Sequence, residues 1–382
     1  MKIESLSDEV LSCLQCGFCR SICPIYEQVG WESASPRGKM YNIKQLTQRS
    51  FLDSILRKKI DINEDFIKEM YLCLGCGACE EVCHGGLNIQ DVWRKVKTWI
   101  FEQGLMNVQE YRQMHDAIKA YKNPYSEPPE KRDIALPKNI TRSKNPEVVI
   151  FQGCTDSYLK QGLVQTAAKI CEKVGVSFTT LGKDEWCCGS MCFTTGQTDY
   201  IKEFAAHNVN AIRGTGAQKV VAPCALCYDT LKKEYPNIVG DLPFEVYHIA
   251  QFLEEMIKDG RLELTTPIRK TVTFHDPCHL GRHEGVIDPP RNVIKNIQDI
   301  TLVEMDRNKK LSRCCGGGSG CNAGFSDIAQ ALAKDRLNEA HKTGADILIT
   351  TCPIGRMHLN QVAQNNGYIK TMDILELVER AV

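Results

Sequence analysis

The sequence has no excess charge of either sign: Lys plus Arg and Asp plus Glu each total 47, for a formal net charge of +0. A neutral chain carries no electrostatic footprint for a nucleic acid and no basic patch strong enough to anchor it to an anionic membrane surface. Long apolar runs are also missing. The N-terminal MKIESLSDEV contains no apolar segment of signal-peptide type, and no later stretch approaches the roughly 18 apolar residues that a membrane span needs. These absences predict a cytoplasmic chain, peripheral to a membrane only through a partner. No nucleotide-binding glycine fingerprint for flavin or NAD is visible, and Gly316-Gly317-Gly318-Ser319-Gly320 lacks the Lys-Ser/Thr ending of a phosphate loop.

Cysteine, by contrast, is abundant, with 20 in 382 residues. A reducing cytoplasm keeps thiols free, so their economical explanation is metal ligation and not a disulfide framework. The length allows two or three cores, because single cores stop growing at roughly 250 residues. Residues 1–105 carry two four-cysteine runs joined by helical apolar spacing at Tyr41, Ile43, Leu46, Leu52, Ile55 and Leu56. Residues 106–145 read as a surface connector marked by Pro124, Pro128, Pro129 and Pro137. The remainder repeats itself: Cys154, Cys187-Cys188 and Cys224 recur roughly 125 residues later as Cys278, Cys314-Cys315 and Cys352, which divides it into 146–262 and 263–382. Each half is expected to run strand, helix, strand, Cys-Cys-Gly turn, helix, strand, with strands near 148–152, 219–222, 272–275 and 346–350 and covering helices near 199–213 and 327–342. Such alternation predicts parallel βαβ units whose ligands lie beyond the strand C-termini, where these cysteines fall.

Cys13-x2-Cys16-x2-Cys19-x3-Cys23-Pro24 has the spacing by which bacterial ferredoxins wrap three thiolates around a cubane, and Cys73-x2-Cys76-x2-Cys79-x3-Cys83 repeats it. The fourth cysteine of such a run serves the other cluster. One 4Fe-4S cubane is therefore expected on Cys13, Cys16, Cys19 and Cys83, and a second on Cys73, Cys76, Cys79 and Cys23. Tetrahedral zinc would use two CxxC pairs and not a compact run of four. Gly17, Gly75 and Gly77 suit loops whose N–H groups approach sulfide, and His84, where the first run has Pro24, reads as a loop residue near the cluster.

Cys154, Cys187, Cys188, Cys224 and Cys227 place five thiols on three strand ends, more than a cubane takes, which suggests a larger or irregular cluster. With SPRGKM at 35–40 and HDPCHLGR at 275–282, this pattern resembles the Cys-Cys-Gly domain family found in heterodisulfide reductases of methanogens and in the iron–sulfur subunits of glycolate, lactate and anaerobic glycerol-3-phosphate oxidoreductases. The resemblance covers nearly the whole chain and is to the D-type arrangement. It implies an α+β multidomain fold, a helical double-4Fe-4S ferredoxin module followed by two pseudo-symmetric α/β Cys-Cys-Gly domains. It also implies a noncubane 4Fe-4S cluster on Cys154, Cys187, Cys188, Cys224 and Cys227 that a disulfide sulfur can attack. The second repeat departs from the pattern, because Gly355 stands where the fifth cysteine would be. Cys278, Cys314, Cys315 and Cys352 are then a candidate four-thiol site for a cubane or three-iron cluster, unless Cys321 supplies the missing ligand.

Arg37, His275 and His279 are candidates to flank clusters or bind an anionic group, with structural histidines as the competing reading, and Arg282 is weighed in the same way. Cys171 reads as a buried helical residue, and packing is the default for Cys192. The expected function is electron transfer through two cubanes to the Cys-Cys-Gly cluster within an anaerobic oxidoreductase. No flavin or NAD is expected in this chain. A flavoprotein or other redox subunit is expected as partner, and a membrane-bound quinone or cytochrome is a candidate terminus. The alternative is catalysis of disulfide reduction at the five-cysteine cluster itself.

Overall fold

The computed structural model describes residues 3–48, 62–134, 136, 140, 142–159 and 162–382. Leu52, Ile55, Leu56 and Pro137, used above, lie outside the described residues.

The N-terminal unit is helical, and its longer helices begin at recognisable caps. Ser35 Oγ accepts from Gly38 N at 3.0 Å and Pro36 occupies the first turn of helix Pro36–Thr47. Gly38 is required there by contact, since a Cβ would stand 2.0 Å from the Glu32 carbonyl oxygen. The SPRG phrase is thus a capped, tightly packed helix start. Helix Ile89–Glu102 buries Val92, Trp93, Val96, Trp99 and Ile100 at three- and four-residue spacing, against Met40, Ile43 and Met70 from helices Pro36–Thr47 and Glu64–Leu72.

Each cysteine-rich half forms a four-stranded parallel sheet. The strands are β1 Val148–Ile150, β2 Phe178–Thr179, β3 Lys219–Ala222, β4 Glu245–His248, β5 Lys270–Phe274, β6 Ile300–Val303, β7 Ile347–Thr350 and β8 Lys370–Asp373. Their orders, β2-β1-β3-β4 and β6-β5-β7-β8, are the same topology twice. Covering helices Ile201–Gly214 and Ser326–Lys342 fall close to the expected ranges. β4 and β8 were not anticipated. Both are short and lead directly into capped helices, so each has little periodicity of its own.

The two halves meet reciprocally, as an internal twofold requires. Helix Gly162–Lys173 of the first packs on Ile374–Ala381 of the second, and Ile249–Lys258 of the first packs on Asp288–Lys295 of the second. The same exchange occurs at the cysteine loops: Cys154–Tyr158 meets Pro353–Asn366, and Ala225–Asp229 meets Cys278–Gly281. One apolar core running from Val148 and Phe178 through Phe252 and Val272 to Leu375 spans both sheets. The halves therefore share one core, and the loops at their strand C-termini meet.

The stretch read as a surface connector is more than that. It contains helix Gln109–Tyr121, which buries Tyr111, His115, Ala117 and Ile118, and it also carries the fully buried Arg132. Its charges concealed a narrow apolar stripe that has a partner only in the folded protein. On the other side, helix Pro24–Val29 packs on Ser326–Lys342, with Gln28 Nε2 donating to Asp335 Oδ2 at 2.6 Å and Arg307 Nη2 to Glu27 Oε1 at 2.9 Å.

His115 is buried between Tyr200 Oη (2.8 Å) and Thr195 Oγ1 (2.7 Å), and desolvation pushes its pKa down to about 4. The unfolded chain therefore takes up this proton first as pH falls, and stability is lost below the ordinary histidine pKa near 6.5. The loss from this residue should reach about 2 kcal/mol by pH 5. His115→Gln, which removes the titrating ring, should flatten the pH dependence of the denaturant midpoint over that window.

Candidate metal centres

Four groups of free thiols form at loop tips. Cys13, Cys16, Cys19 and Cys83 line one small cavity, together with Arg37, and Cys23, Cys73, Cys76 and Cys79 line another. The crossing of Cys23 and Cys83 between the runs follows from helices Phe18–Ile22 and Ala78–Glu81, which pack on each other. Three residues, about one turn of helix, separate Cys19 from Cys23 and Cys79 from Cys83, a rise of about 6 Å. Burial, with the neighbouring Cys13, Cys16 and Cys83, raises Cys19 to about 11, and burial raises Cys23 to about 12. Left alone these thiols stay protonated; only a cationic partner makes them thiolates. Gln15 Nε2, from within the first run, and Gln90 Nε2, from helix Ile89–Glu102, lie 3.6 Å from Cys13 Sγ and Cys79 Sγ, one amide donor to each group. His84, next to Cys83, is exposed and meets the ring of the cavity-lining Phe18 edge-on at 4.4 Å.

In the first cysteine-rich half, Cys154, Cys187, Cys188, Cys224 and Cys227 share one cavity of 480 Å³. The Cys-Cys-Gly turn has a local reason. Gly189 at φ 86° and Gly316 at φ 80° turn their N–H groups back onto Cys187 Sγ (3.4 Å) and Cys314 Sγ (3.5 Å), a left-handed geometry that a side chain would strain. Gly153, also left-handed, sits where a Cβ would be 3.3 Å from Cys227 Sγ.

Cys278, Cys314, Cys315 and Cys352 line a small cavity with His275 and His279. Cys321 is absent from that lining; it is buried and faces Cys73 and Lys97 instead. This group touches both of its neighbours. Cys76 of the N-terminal unit is in hydrogen-bonding contact with Cys314, and Cys352 with Cys224. The thiol groups therefore follow one another in a line, with the second repeat in the middle. Arg282 closes the first joint, donating to the Cys76 carbonyl at 2.6 Å and to the carbonyls of Lys310 and Ser312.

Arg132, Glu185, Arg336 and Asp229, buried beside the thiols, carried no sequence signal, and the last two partner the expected His275 and His279. Arg132 donates to Cys154 Sγ at 3.1 Å while Nη1 donates to Glu185 Oε1, and Glu185 accepts from Gln152 N and Gly153 N at 2.7 and 2.8 Å. In the second half Arg336 Nε meets His275 Nδ1 at 3.0 Å, and His275 hydrogen-bonds Cys315. His279 Nδ1 lies 2.5 Å from Asp229 Oδ2. Burial opposes its protonation, but the hydrogen bond to Asp229 and the adjacent Cys278 outweigh it and raise His279 to about 9. Asp229 precedes a π-helical turn, Thr230–Glu234. Each of these partners arrives from a distant segment, so no local motif marks them.

Residues 9–87 match the 4Fe-4S dicluster domain, and residues 148–232 and 272–360 each match the cysteine-rich domain. The chain is 37% identical to the D subunit of the dihydromethanophenazine:CoB–CoM heterodisulfide reductase of Methanosarcina acetivorans, over 98% of this chain and 94% of that one. The chain belongs to the heterodisulfide reductase D-type family. It is an iron–sulfur subunit of a heterodisulfide reductase-like oxidoreductase. Other relatives are the B subunit of the fumarate reductase (CoM/CoB) of Methanothermobacter marburgensis, 28% identical over 100% of this chain and 74% of that one, and the probable iron-sulfur-binding oxidoreductase FadF of Bacillus subtilis, 27% identical over 82% and 47%. A hypothetical protein from Helicobacter pylori shares the fold, at TM-score 0.55 and 10% identity over 93% of this chain and 74% of that one. Among the described residues no helix is long and apolar enough to cross a membrane.

These residues suit iron–sulfur clusters, because crowded buried thiols with N–H and guanidinium donors aimed at sulfur are what an anionic cluster needs. Gly355 decides the asymmetry: a Cβ there would stand 3.6 Å from Cys315 Sγ, directed at the thiols of the second half, and its backbone is ordinary helix. Gly355→Cys should therefore fold with little loss of stability and supply a fifth thiolate. The expected result is an altered EPR signal assignable to this site with those of the two N-terminal clusters unchanged.

Proposed function

We propose that the chain carries electrons along its line of thiol groups. The path runs from a cubane on Cys13, Cys16, Cys19 and Cys83 to one on Cys73, Cys76, Cys79 and Cys23. It continues through a cluster on Cys278, Cys314, Cys315 and Cys352 to the five-thiol site of Cys154, Cys187, Cys188, Cys224 and Cys227. The supporting observation is the pair of thiol contacts, Cys76 with Cys314 and Cys352 with Cys224, which leaves no gap between the N-terminal unit and the large cavity. The clusters supply one-electron chemistry; the protein holds them in sequence, excludes water from the inner two and donates hydrogen bonds to their sulfurs. The second repeat thus becomes a stepping stone, which explains why it tolerates four thiols: a relay needs a held cluster and no open face. A partner redox protein, a flavoprotein or another member of the same complex, exchanges electrons at the outer end. Cys16 is exposed there, beside Leu14 and Phe18.

A second reading is favoured by the cavity. The cavity against the five thiols measures 480 Å³, whereas those at the other thiol groups measure 20 to 30 Å³, so beside a cluster it leaves room that a relay does not need and the reduction of a disulfide does. In that reading two electrons arriving along the line and two protons from water convert a disulfide into two thiols. Relatives that carry heterodisulfide reductase in their names support this reading.

Cys314→Ser breaks the stepping stone. After anaerobic preparation it should retain about the eight iron atoms of two cubanes at the N-terminal unit, reducible by dithionite. Reduction of the five-thiol site, followed by freeze-quench EPR, should slow by roughly a hundredfold or more, equivalent to about 2.7 kcal/mol on the barrier. An unchanged rate would show that electrons bypass the second repeat.

A further inference from the structure

The two N-terminal cubanes proposed above, on which this inference rests, stand in unlike electrostatic surroundings. Helix Pro36–Thr47 offers each thiol group one cation from the SPRGKM phrase. Arg37 lines the cavity of the outer group, Cys13, Cys16, Cys19 and Cys83, and Lys39 lines that of the inner group, Cys23, Cys73, Cys76 and Cys79. Two residues turn a helix through about 200°, so the two side chains leave it on opposite sides. Arg37 is 30% exposed, and its Nε donates to Glu32 Oε1 at 2.8 Å, a carboxylate that Arg20 Nη1 also reaches at 3.2 Å. Paired and close to water, it brings the outer group little net charge.

The inner group is different. Lys39 is buried, with Nζ donating to the Ala34 carbonyl at 2.8 Å. Lys97, from helix Ile89–Glu102, is buried at the same group and donates to the carbonyls of Cys73 at 3.3 Å and Thr194 at 2.9 Å. Among the described residues no carboxylate pairs with either ammonium, and the two repel each other. Burial also disfavours the charge on Lys97, whereas the sulfur of Cys73 favours it. Two unpaired buried ammoniums are costly unless an anion lies beside them, and a cluster on four thiolates is such an anion. Iron fixes those sulfurs as thiolates, so the stabilising partner is permanent. Other influences are matched or offset. Each group receives one amide donor, from Gln15 or from Gln90. Burial of the inner group opposes an added electron, as does Glu80 beside Cys79, but Glu80 has Arg94 and Lys233 as neighbours, and Arg282 adds a cation at the Cys76 carbonyl.

We propose that Lys39 and Lys97 tune the inner cubane, raising its reduction potential above that of the outer one, so that an electron received at the exposed Cys16 end settles beside Cys76, at the joint with Cys314. Reduction adds one negative charge to a cluster that is already anionic. A fixed ammonium in a low-dielectric site stabilises that added charge more than an exposed, paired guanidinium does. A reduced redox partner supplies the electron; the outer cubane loses it as the inner one gains it, and no bond or proton changes. Charge is thereby held next to the second repeat and not at the surface.

The test is an anaerobic redox titration of the full chain followed by EPR, with iron counted, in the wild type, Lys39→Gln, Lys97→Gln, Lys39→Arg and Glu32→Gln. Each glutamine variant at a lysine should shift the same cubane toward its oxidised form by at least about tenfold, equivalent to 59 mV for one electron, and leave the other within about twofold. The cubane that moves should be the one of higher potential in the wild type. Lys39→Arg, which keeps the charge, should stay within about threefold of the wild type. Glu32→Gln, at a half-exposed position, removes the counter-charge of Arg37 and should raise the other cubane severalfold. It perturbs no buried group, so it decides the matter even where a lysine variant loses its cluster: an outer potential that fails to rise overturns the charge argument. If the glutamine variants keep their iron and neither potential moves, or if the lower-potential cubane is the one that moves, the inference falls while the relay stands. If no pair of cubane signals appears in the wild type, the relay falls too.

Discussion

Crowded buried sulfur is the constraint on which the rest of this structure depends. Cys187 is in contact with Cys154 and Cys188, Cys188 with Cys227, Cys227 with Cys224, and Cys224 with Cys352. Uncompensated thiolates at such separations repel one another, and burial adds a desolvation cost for each charge. Iron reverses both signs: it requires the thiolate and neutralises it. The folded arrangement is therefore coupled to cluster assembly, as metal binding generally couples to folding when ligands come from distant segments. The helices, sheets and caps put the sulfurs in place, but the charge balance at the centre belongs to the clusters.

Duplication solves the geometric part of this problem. A parallel sheet delivers its loops to one edge, and two such sheets related by an internal twofold turn those edges toward each other. The helix following β1 meets the helix following β7 and the helix following β3 meets the one following β5, a crosswise exchange at the cysteine loops where Cys352 of the second half reaches Cys224 of the first. The symmetry is then broken at the thiols. Cys227 is answered by Gly355, and the direct contact from Arg132 to Cys154 is answered by the longer path from Arg336 through His275 to Cys315. The half that kept five thiols faces the large cavity. The half with four is enclosed between the N-terminal unit and its twin.

Much of this was legible without coordinates. Runs of cysteine at two- and three-residue spacing group themselves, because a short loop leaves its thiols nowhere else to point, and the repeat of Cys-Cys-Gly announces two copies of one βαβ pattern. The short strands β4 and β8 were not legible, since four residues carry little periodicity. Nor was helix Gln109–Tyr121, whose apolar stripe of Tyr111, His115 and Ile118 is diluted by charges that face solvent. Arg132, Glu185 and Asp229 escaped notice for a different reason: a single buried ion has no motif, only a neighbourhood.

The linear sequence by itself determined the kind of chemistry, because thiol number and spacing select iron–sulfur ligation over zinc or disulfides, and it determined the duplicated architecture through its internal repeat. Tertiary structure alone decided the order of the thiol groups, the enclosure of the four-thiol group, and the large cavity at the five-thiol group. These depend on contacts such as Cys76 with Cys314, between residues more than two hundred positions apart, and the separation of such pairs in the chain carries no information about their separation in space.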